Sequence, residues 1–477
     1  MGFGRIYQAA VVLRLVVILA IVSGRCINKE LAAADLPNNI LLITCDNLGY
    51  GDLPCYNSES SIVAPNLSRL AREGVRLTSF YTASPTCTVS RACLLTGRLP
   101  QRHGLERQLP GVEGNYGVGL NPQERLLPQF LKRAPHPYAT GCFGKWNIGF
   151  APGSRPTERG FDEFVGHASG NMDYYHHHYR RQHDLYRGVV SQETEHLFRE
   201  GEYSTDLFAD AAINFIERQS GKGQPWFCYL PFNAPHFPSA GNKRPGQPTR
   251  WQAPDDAFEA IGLSPTEKDP RKRYEAVVFA LDRAIGRVLG SLETTGQVNS
   301  TFVFFMSDNG AFRLNRKGID VGRNHPLRSG GVTCWEGGLR VAAMARWPRH
   351  IAAGSVMNEP FWSPDLLVAC LEIARFDSSK ELQAGGSGLV LDGKNPLPLL
   401  TQGGASPHRS FFFAYRSHAA LRMGHWKIVR ERPSEAWQLF DLRTDPGEST
   451  NLAVKERNVL KQLVAEYDSW KEKLAVQ

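Results

Sequence analysis

Two apolar runs in this chain end in the same pair of oxygen-bearing residues. Residues 39–44 lead into Asp46 and Asn47, and residues 301–306 lead into Asp308 and Asn309. Gathered at one edge of a sheet, two carboxylates and two amide carbonyls form an oxygen-rich site suited to a hard divalent cation, Ca²⁺ or Mg²⁺. Two further runs end in groups that handle protons and anions: residues 226–230 precede His236, and residues 138–143 precede Lys145 and Asn147. Taken singly, each Asp-Asn pair reads as an Asx turn capping a strand; the four ends together favour a site. The remaining reactive group is Cys87, in a stretch that also holds Arg91. Thr86 and Cys87 lie where a helix should begin and Gly97 where it should stop, so the thiol faces the positive end of a helix, which favours anions and thiolates. On residue types alone the stretch also fits a helix-capping loop with an inert thiol.

Such residues need a large scaffold. A length of 477 residues allows roughly two to four domains, or one large α/β unit with additions. With 42% apolar and 21% charged residues, 45 Gly and 30 Pro, the chain is neither disordered nor collagen-like, and no fixed-period repeat is visible. A net charge of +8 is mild for this length and the basic residues are scattered, which argues against nucleic acid and suits an anionic or sulfated substrate. Nine cysteines, an odd number without zinc-site spacing, imply no disulfide framework; Cys142, Cys228 and Cys370 read as buried small hydrophobes. Near the start, Arg5 precedes an apolar run whose clean part, residues 15–22, is too short to span a bilayer. Small residues follow at Ser23, Gly24 and 32–34, so residues 1–34 read as a secretory signal peptide, without stable membrane insertion. That places the protein in a secreted, periplasmic or lysosome-like compartment.

Continuous apolar runs at 39–44, 226–230 and 301–306 read as strands buried on both faces, with 138–143 a weaker fourth. Helical periodicity marks 65–73, 206–218 and 274–292. Strands separated by helices predict an α/β fold with a large, mostly parallel sheet. Segments 239–246 and 384–393 read as surface loops, the second setting off the C-terminal part.

Cys87, Ser90 and Arg91, followed by Thr96, Gly97 and Arg98, resemble the signature of the sulfatase family: cysteine, any residue, proline, serine, arginine, then a Thr-Gly-Arg ending. Residues 40–52, 144–146, 234–236, 307–310 and 336–340 are similar to further family motifs, in consistent order. Residues 426–428, 439–442, 445–448 and 451–453 resemble its small C-terminal subdomain. The resemblance implies an alkaline-phosphatase-like mixed sheet flanked by helices over 37–395. A smaller antiparallel sheet and a terminal helix would occupy 396–477. It also implies hydrolysis of sulfate esters of carbohydrate or aryl alcohols. A formylglycine-generating enzyme would convert Cys87 to formylglycine, whose hydrated aldehyde attacks the sulfur. Arg91 would hold the diol, Lys145 would neutralise the sulfate oxygens, and His236 would protonate the leaving alcohol or assist it by hydrogen bonding. Asp46, Asn47, Asp308 and Asn309, with residue 87, would hold Ca²⁺ in preference to Mg²⁺.

The sequence departs from that pattern in four places. Val89 stands at the usual proline, Asn47 at the second Asp of an Asp-Asp pair, Asn147 at a histidine and Gly331 at a sulfate-binding lysine. Arg328 or Lys317 is the candidate to replace that lysine. Two alternatives stay open beside sulfate-ester hydrolysis: phosphate-ester hydrolysis by an unmodified Cys87 or a metal-bound water, and non-catalytic binding of sulfated glycan. The histidine-rich tract around His176 and His178 is too dense for one coordinated ion. It reads as a loop that rims the pocket and contacts a sulfated sugar, or simply as a polar surface loop.

Overall fold

The computed structural model describes residues 38–109, 117–238, 251–314, 320–377 and 390–475. The segment 1–34 expected as a signal peptide, the segment 239–246, most of the segment 384–393 and Lys317 lie outside these. The strands Asn39–Cys45, Trp226–Pro231 and Thr301–Ser307 are buried at every residue. Their side chains alternate between two apolar layers. Leu41, Ile43, Leu230, Val303 and Phe305 pack beneath the helices Ser204–Gln219 and Pro270–Thr294. Ile40, Leu42, Phe227, Tyr229 and Phe304 face the opposite layer, which includes the helix Asp365–Ile373. Burial on both faces is why these strands are apolar at successive positions rather than alternating. Each such side chain contributes about 1.5–3 kcal/mol.

The sheet has ten strands, in the order Ser355–Met357, Val75–Leu77, Ala343–Arg346, Thr301–Ser307, Asn39–Cys45, Trp226–Pro231, Ala139–Lys145, Glu163–His167, Tyr186–Val189 and Glu195–His196. The five strands from Thr301–Ser307 to Glu163–His167 run parallel. Ala343–Arg346 is antiparallel to both neighbours, and the last two strands are antiparallel as well. Register sets the functional edge: Cys45 lies opposite Ser307 and Thr44 opposite Pro231, so these strands stop almost level.

The expected helices form, two of them extended. The helix over 274–292 begins at Pro270, because the Asp269 side chain accepts hydrogen bonds from the amides of Arg271 and Lys272 and proline is well placed in a first turn. Among the described residues no helix is long and apolar enough to cross a membrane.

A four-stranded antiparallel sheet, Ser410–Tyr415, His418–Met423, Trp426–Arg430 and Gln438–Asp441, follows. One face, with Phe411, Phe413, Val429 and Phe440, packs on Trp335 and Leu339 of the larger body. The other, with Leu421, Ile428 and Leu439, packs on Leu463 and Tyr467 of the terminal helix Arg457–Ala475. Lys427 pins this sheet down: its buried ammonium lies 2.9 Å from Glu336 Oε1 and 2.8 Å from Glu448 Oε1. The Tyr81 hydroxyl donates to Glu336 Oε2 at 2.6 Å and accepts from Arg422 Nη1 at 2.6 Å. Burial opposes ionisation of Glu336, but Lys427 and Arg340 hold its carboxyl well below the usual range, whereas burial pushes Glu448 up.

Removing one partner from a buried ion cluster strands the others. Lys427→Met should therefore destabilise the protein by about 3–5 kcal/mol in equilibrium urea unfolding. A loss below about 1 kcal/mol, the range of an exposed ion pair, would show that the cluster does not fasten the small sheet.

Candidate active site

Backbone hydrogen bonds carry the sheet edge past its last ladder pairs. Asp46 N donates to Ala234 O and Asp308 N donates to Cys45 O, each at 2.9 Å. Ser307 Oγ accepts from Leu48 N at 3.0 Å and donates to Asn309 O at 2.8 Å. Asn47 and Asn147 adopt left-handed backbone, with φ of 63° and 57°, a conformation asparagine tolerates better than most residues. Cys87 is the first residue of the helix Cys87–Thr96, which is buried throughout and stops at Gly97, whose φ is 66°. Both ends fall where the sequence placed them.

Two cation–carboxylate pairs converge beside Cys87. Lys145 Nζ donates to Asp46 Oδ2. Arg91 reaches Asp308 Oδ2 with Nη2 at 2.7 Å and Nε at 3.1 Å, and its Nη1 donates to Lys145 O at 2.9 Å. The pairs touch each other, with Arg91 Nη2 3.9 Å from Asp46 Oδ2. All four side chains are at most 1% exposed. Burial, with Asp46 adding, pushes the Asp308 carboxyl up to about 6 against the pull of Arg91. Burial works against the Lys145 ammonium, but Asp46 more than offsets it and its pKa is raised. Burial also pushes the Cys87 thiol up, and Lys145 offsets this only in part. Burial and the two carboxylates thus oppose the thiolate that the helix terminus was expected to favour.

The donor set fits a hard divalent cation. One ligand atom from each of Asp46, Cys87 and Asp308 lies within 4.8 Å of the others. Asp46 Oδ1 and Asn309 Oδ1 are buried without a hydrogen-bond partner, a cost of about 1–3 kcal/mol each that a cation would relieve. Asn47 Oδ1 currently accepts from Asn309 Nδ2. Nearby, His236 is tied through Nδ1 to Phe237 O at 2.6 Å. Burial, then the charge of Lys145, pushes it down to about 3. The ring is therefore neutral; with the Nδ1 proton assigned to that hydrogen bond, Nε2 is an open acceptor.

Gln108 is a site residue with no signal in the sequence, since it belongs to no motif. Its Oε1 accepts from Thr86 Oγ1 at 3.0 Å, Thr88 N at 3.2 Å and Cys87 Sγ at 3.4 Å. Its Nε2 donates to Asn147 Oδ1 at 3.1 Å, which also accepts from Thr88 Oγ1 at 3.0 Å. Asn147 thus joins Cys87 indirectly, through neutral amides.

Three expected substrate contacts have partners of their own. The Arg328 guanidinium stacks 3.7 Å over the Trp335 ring and donates to Glu448 O, in the junction with the small sheet. At Gly331 a Cβ would come within 2.5 Å of the Phe312 ring. That ring, set edge-on to His236 with centroids 5.9 Å apart, fills the space where a lysine side chain would begin. His176 is drawn to Glu200, and His178 packs on His183 in a short hairpin. From that tract it is Tyr174 that reaches the site: its hydroxyl donates to His236 O at 2.6 Å.

A family model described as Sulfatase matches residues 38–372. The N-acetylgalactosamine-6-sulfatase of Mus musculus is 32% identical over 433 residues, covering 88% of this chain and 77% of that protein. Arylsulfatase A of Bos taurus is 33% identical, covering 88% of this chain and 84% of its own. The crystal structure of Ps i-CgsB in complex with k-i-k-neocarrahexaose has a TM-score of 0.78 and 30% identity, covering 91% of this chain and 92% of the other.

If Asp308 is a ligand, its protonation removes a donor, and cation affinity should fall as pH drops below about 6. Calorimetric titration of metal-depleted protein with Ca²⁺ at about pH 7 and about pH 5 should give affinities differing by about tenfold. Equal affinities would remove Asp308 from the ligand set.

Proposed function

The chain belongs to the sulfatase family and is a sulfuric ester hydrolase; from that membership we propose that it desulfates carbohydrate at Cys87, converted to formylglycine, beside a divalent cation. The observation that carries this reading is the pair of buried ion pairs converging on Cys87, with unpartnered oxygens of Asp46 and Asn309 alongside. Formylglycine and Ca²⁺ would together supply a hydrated-aldehyde nucleophile and a Lewis acid for the sulfate oxygens. Asp46, Asp308 and Asn309 would hold the cation, with the Asn47 carbonyl next to them. With Asp46 engaged by the cation, the Lys145 ammonium would be available to the sulfate oxygens. Arg91, fixed to Asp308 and the Lys145 carbonyl, keeps the positive charge against the nucleophile. His236, neutral and anchored at Nδ1, offers Nε2 to an O–H group. It can take a proton there and return it to the leaving oxygen, which supports hydrogen bonding over donation from a standing imidazolium. Gln108 and Asn147 would orient the residue-87 side chain through groups that do not titrate. Asn47 in place of a carboxylate leaves the site one negative charge short of the family pattern and should loosen the cation.

The raised Cys87 thiol disfavours the alternative in which an unmodified thiolate attacks phosphate esters. The N-acetylgalactosamine-6-sulfatase name and the neocarrahexaose complex among the relatives support a carbohydrate ester, while the arylsulfatase A likeness keeps an aryl ester as the second reading. The same reading places the catalytic body at 37–395 and the smaller subdomain at 396–477. It includes maturation by a formylglycine-generating enzyme and a secreted, periplasmic or lysosome-like compartment reached through 1–34.

Protein produced beside a formylglycine-generating enzyme should hydrolyse a nitrophenyl sulfate, lose that activity on chelation and regain it with Ca²⁺. Cys87→Ala should lower the rate by about 10³ or more. A rate for nitrophenyl phosphate equal to that for the sulfate, untouched by Cys87→Ala, would contradict the proposal. Gln108→Leu, which keeps the volume but removes the acceptor from residue 87, should lower kcat by about tenfold to a hundredfold with KM little changed. An unchanged kcat would make Gln108 a packing residue.

A further inference from the structure

A cleft of about 860 Å³ separates the larger body from the small C-terminal sheet, within the size range of ligand sites. Four arginines line it, Arg340, Arg409, Arg422 and Arg443, while Glu359 is the one carboxylate among its described lining residues. Two of the arginines are built in rather than adventitious. Arg422 donates through Nη1 to the Tyr81 hydroxyl at 2.6 Å and through Nε to Gly424 O at 2.9 Å. Arg340 donates to Thr78 O at 2.6 Å and lies 3.5 Å from Glu336. The other two face solvent. Among the described residues Arg443 pairs only with Asp441, at 2.9 Å with its side chain 65% exposed, and Arg409 is exposed with no ion pair. Trp426 adds an aromatic wall.

Register places the cleft on the functional edge of the large sheet. Met306 lies opposite Ala343, Ala343 opposite Leu77, and Leu77 opposite Met357. The cleft residues Thr78 and Asn358 therefore leave their strands at the end where Asp308 leaves its own. At about 4.8 Å per strand they stand about 10–15 Å along that edge from Asp308. A polymer whose ester reaches Cys87 runs past this cleft if it follows the edge.

We propose that the cleft is a second binding site, which holds sulfate groups of a sulfated polysaccharide some sugar units away from the ester presented to Cys87. Guanidinium forks match planar or tetrahedral oxyanions and are weakly hydrated, so they give up water at low cost. The indole face accepts the apolar face of a pyranose ring. The identity of the chain rests on the sulfated-carbohydrate reading above; the existence of an anion site does not.

The test uses the full-length protein and size-fractionated dextran sulfate, with unsulfated dextran and duplex DNA as controls. The wild type should bind dextran sulfate and not dextran, and Arg409→Glu should weaken binding about tenfold, further with Arg443→Gln added. Both positions are exposed, so an unchanged thermal transition should confirm folding. KM for the sulfated polymer should rise in step while kcat and KM for a nitrophenyl sulfate stay put. Unaltered affinity in the double variant would overturn the proposal. So would equally tight, equally sensitive binding of duplex DNA, which would mark an unselective polyanion surface. A wild type inactive on the aryl ester would instead defeat the hydrolase reading and leave the titration to decide the cleft.

Discussion

Everything at the functional edge follows from placing four unlike charges where water cannot reach them. Lys145, Arg91, Asp46 and Asp308 are tolerable there only as a set, since any one alone would carry a desolvation penalty of several kcal/mol. The set is electrically balanced, yet its hydrogen bonding is incomplete: Asp46 Oδ1 and Asn309 Oδ1 have no partner. A fold selected for stability alone would have filled this space with hydrocarbon. Retaining the charges makes sense if a dication and an anion enter the same pocket, because carboxylates and ammonium can then separate and each find a new counter-charge. The same dryness sets the protonation states: it raises the Cys87 thiol and keeps His236 neutral.

A second buried cluster holds the first in place. Glu336, Lys427 and Glu448 join the small sheet to the larger body, and Tyr81 carries the connection toward the Cys87 loop. The next residue along, Thr82, is fixed by its amide to Leu339 O at 2.9 Å and by its hydroxyl to Ser90 of the Cys87 helix. The C-terminal sheet is thus a brace for the loop that presents residue 87, and its junction also forms the walls of the arginine-lined cleft.

What the sequence made legible was whatever depends on local pattern. Strands buried on both faces read as unbroken apolar runs, and the groups following them had to emerge at one edge. The helix from Cys87 to Gly97 was marked by its own ends. Residues whose position depends on distant partners were not legible. Gln108 meets Cys87 only because the loop after the Cys87 helix folds back, and the Lys427 cluster links segments 91 residues apart. Arg328 was a candidate to replace the lysine missing at Gly331, and its contacts with the Trp335 ring and the Glu448 carbonyl were not readable from sequence. The pairing of His176 with Glu200 was likewise invisible. The departure at Gly331 was visible, while its consequence, the Phe312 ring against His236, was not.

Sulfate-ester hydrolysis here depends most on the chemical state of residue 87, because a buried, raised thiol is a poor nucleophile and the proposed reaction needs its oxidised form. Mass spectrometry of the tryptic peptide 77–91, from protein made in its native host, reads that state directly. The expected peptide carries formylglycine at position 87 with Val89 unchanged. A peptide with cysteine at that position would contradict that expectation, and sulfate-ester hydrolysis by this route would be excluded.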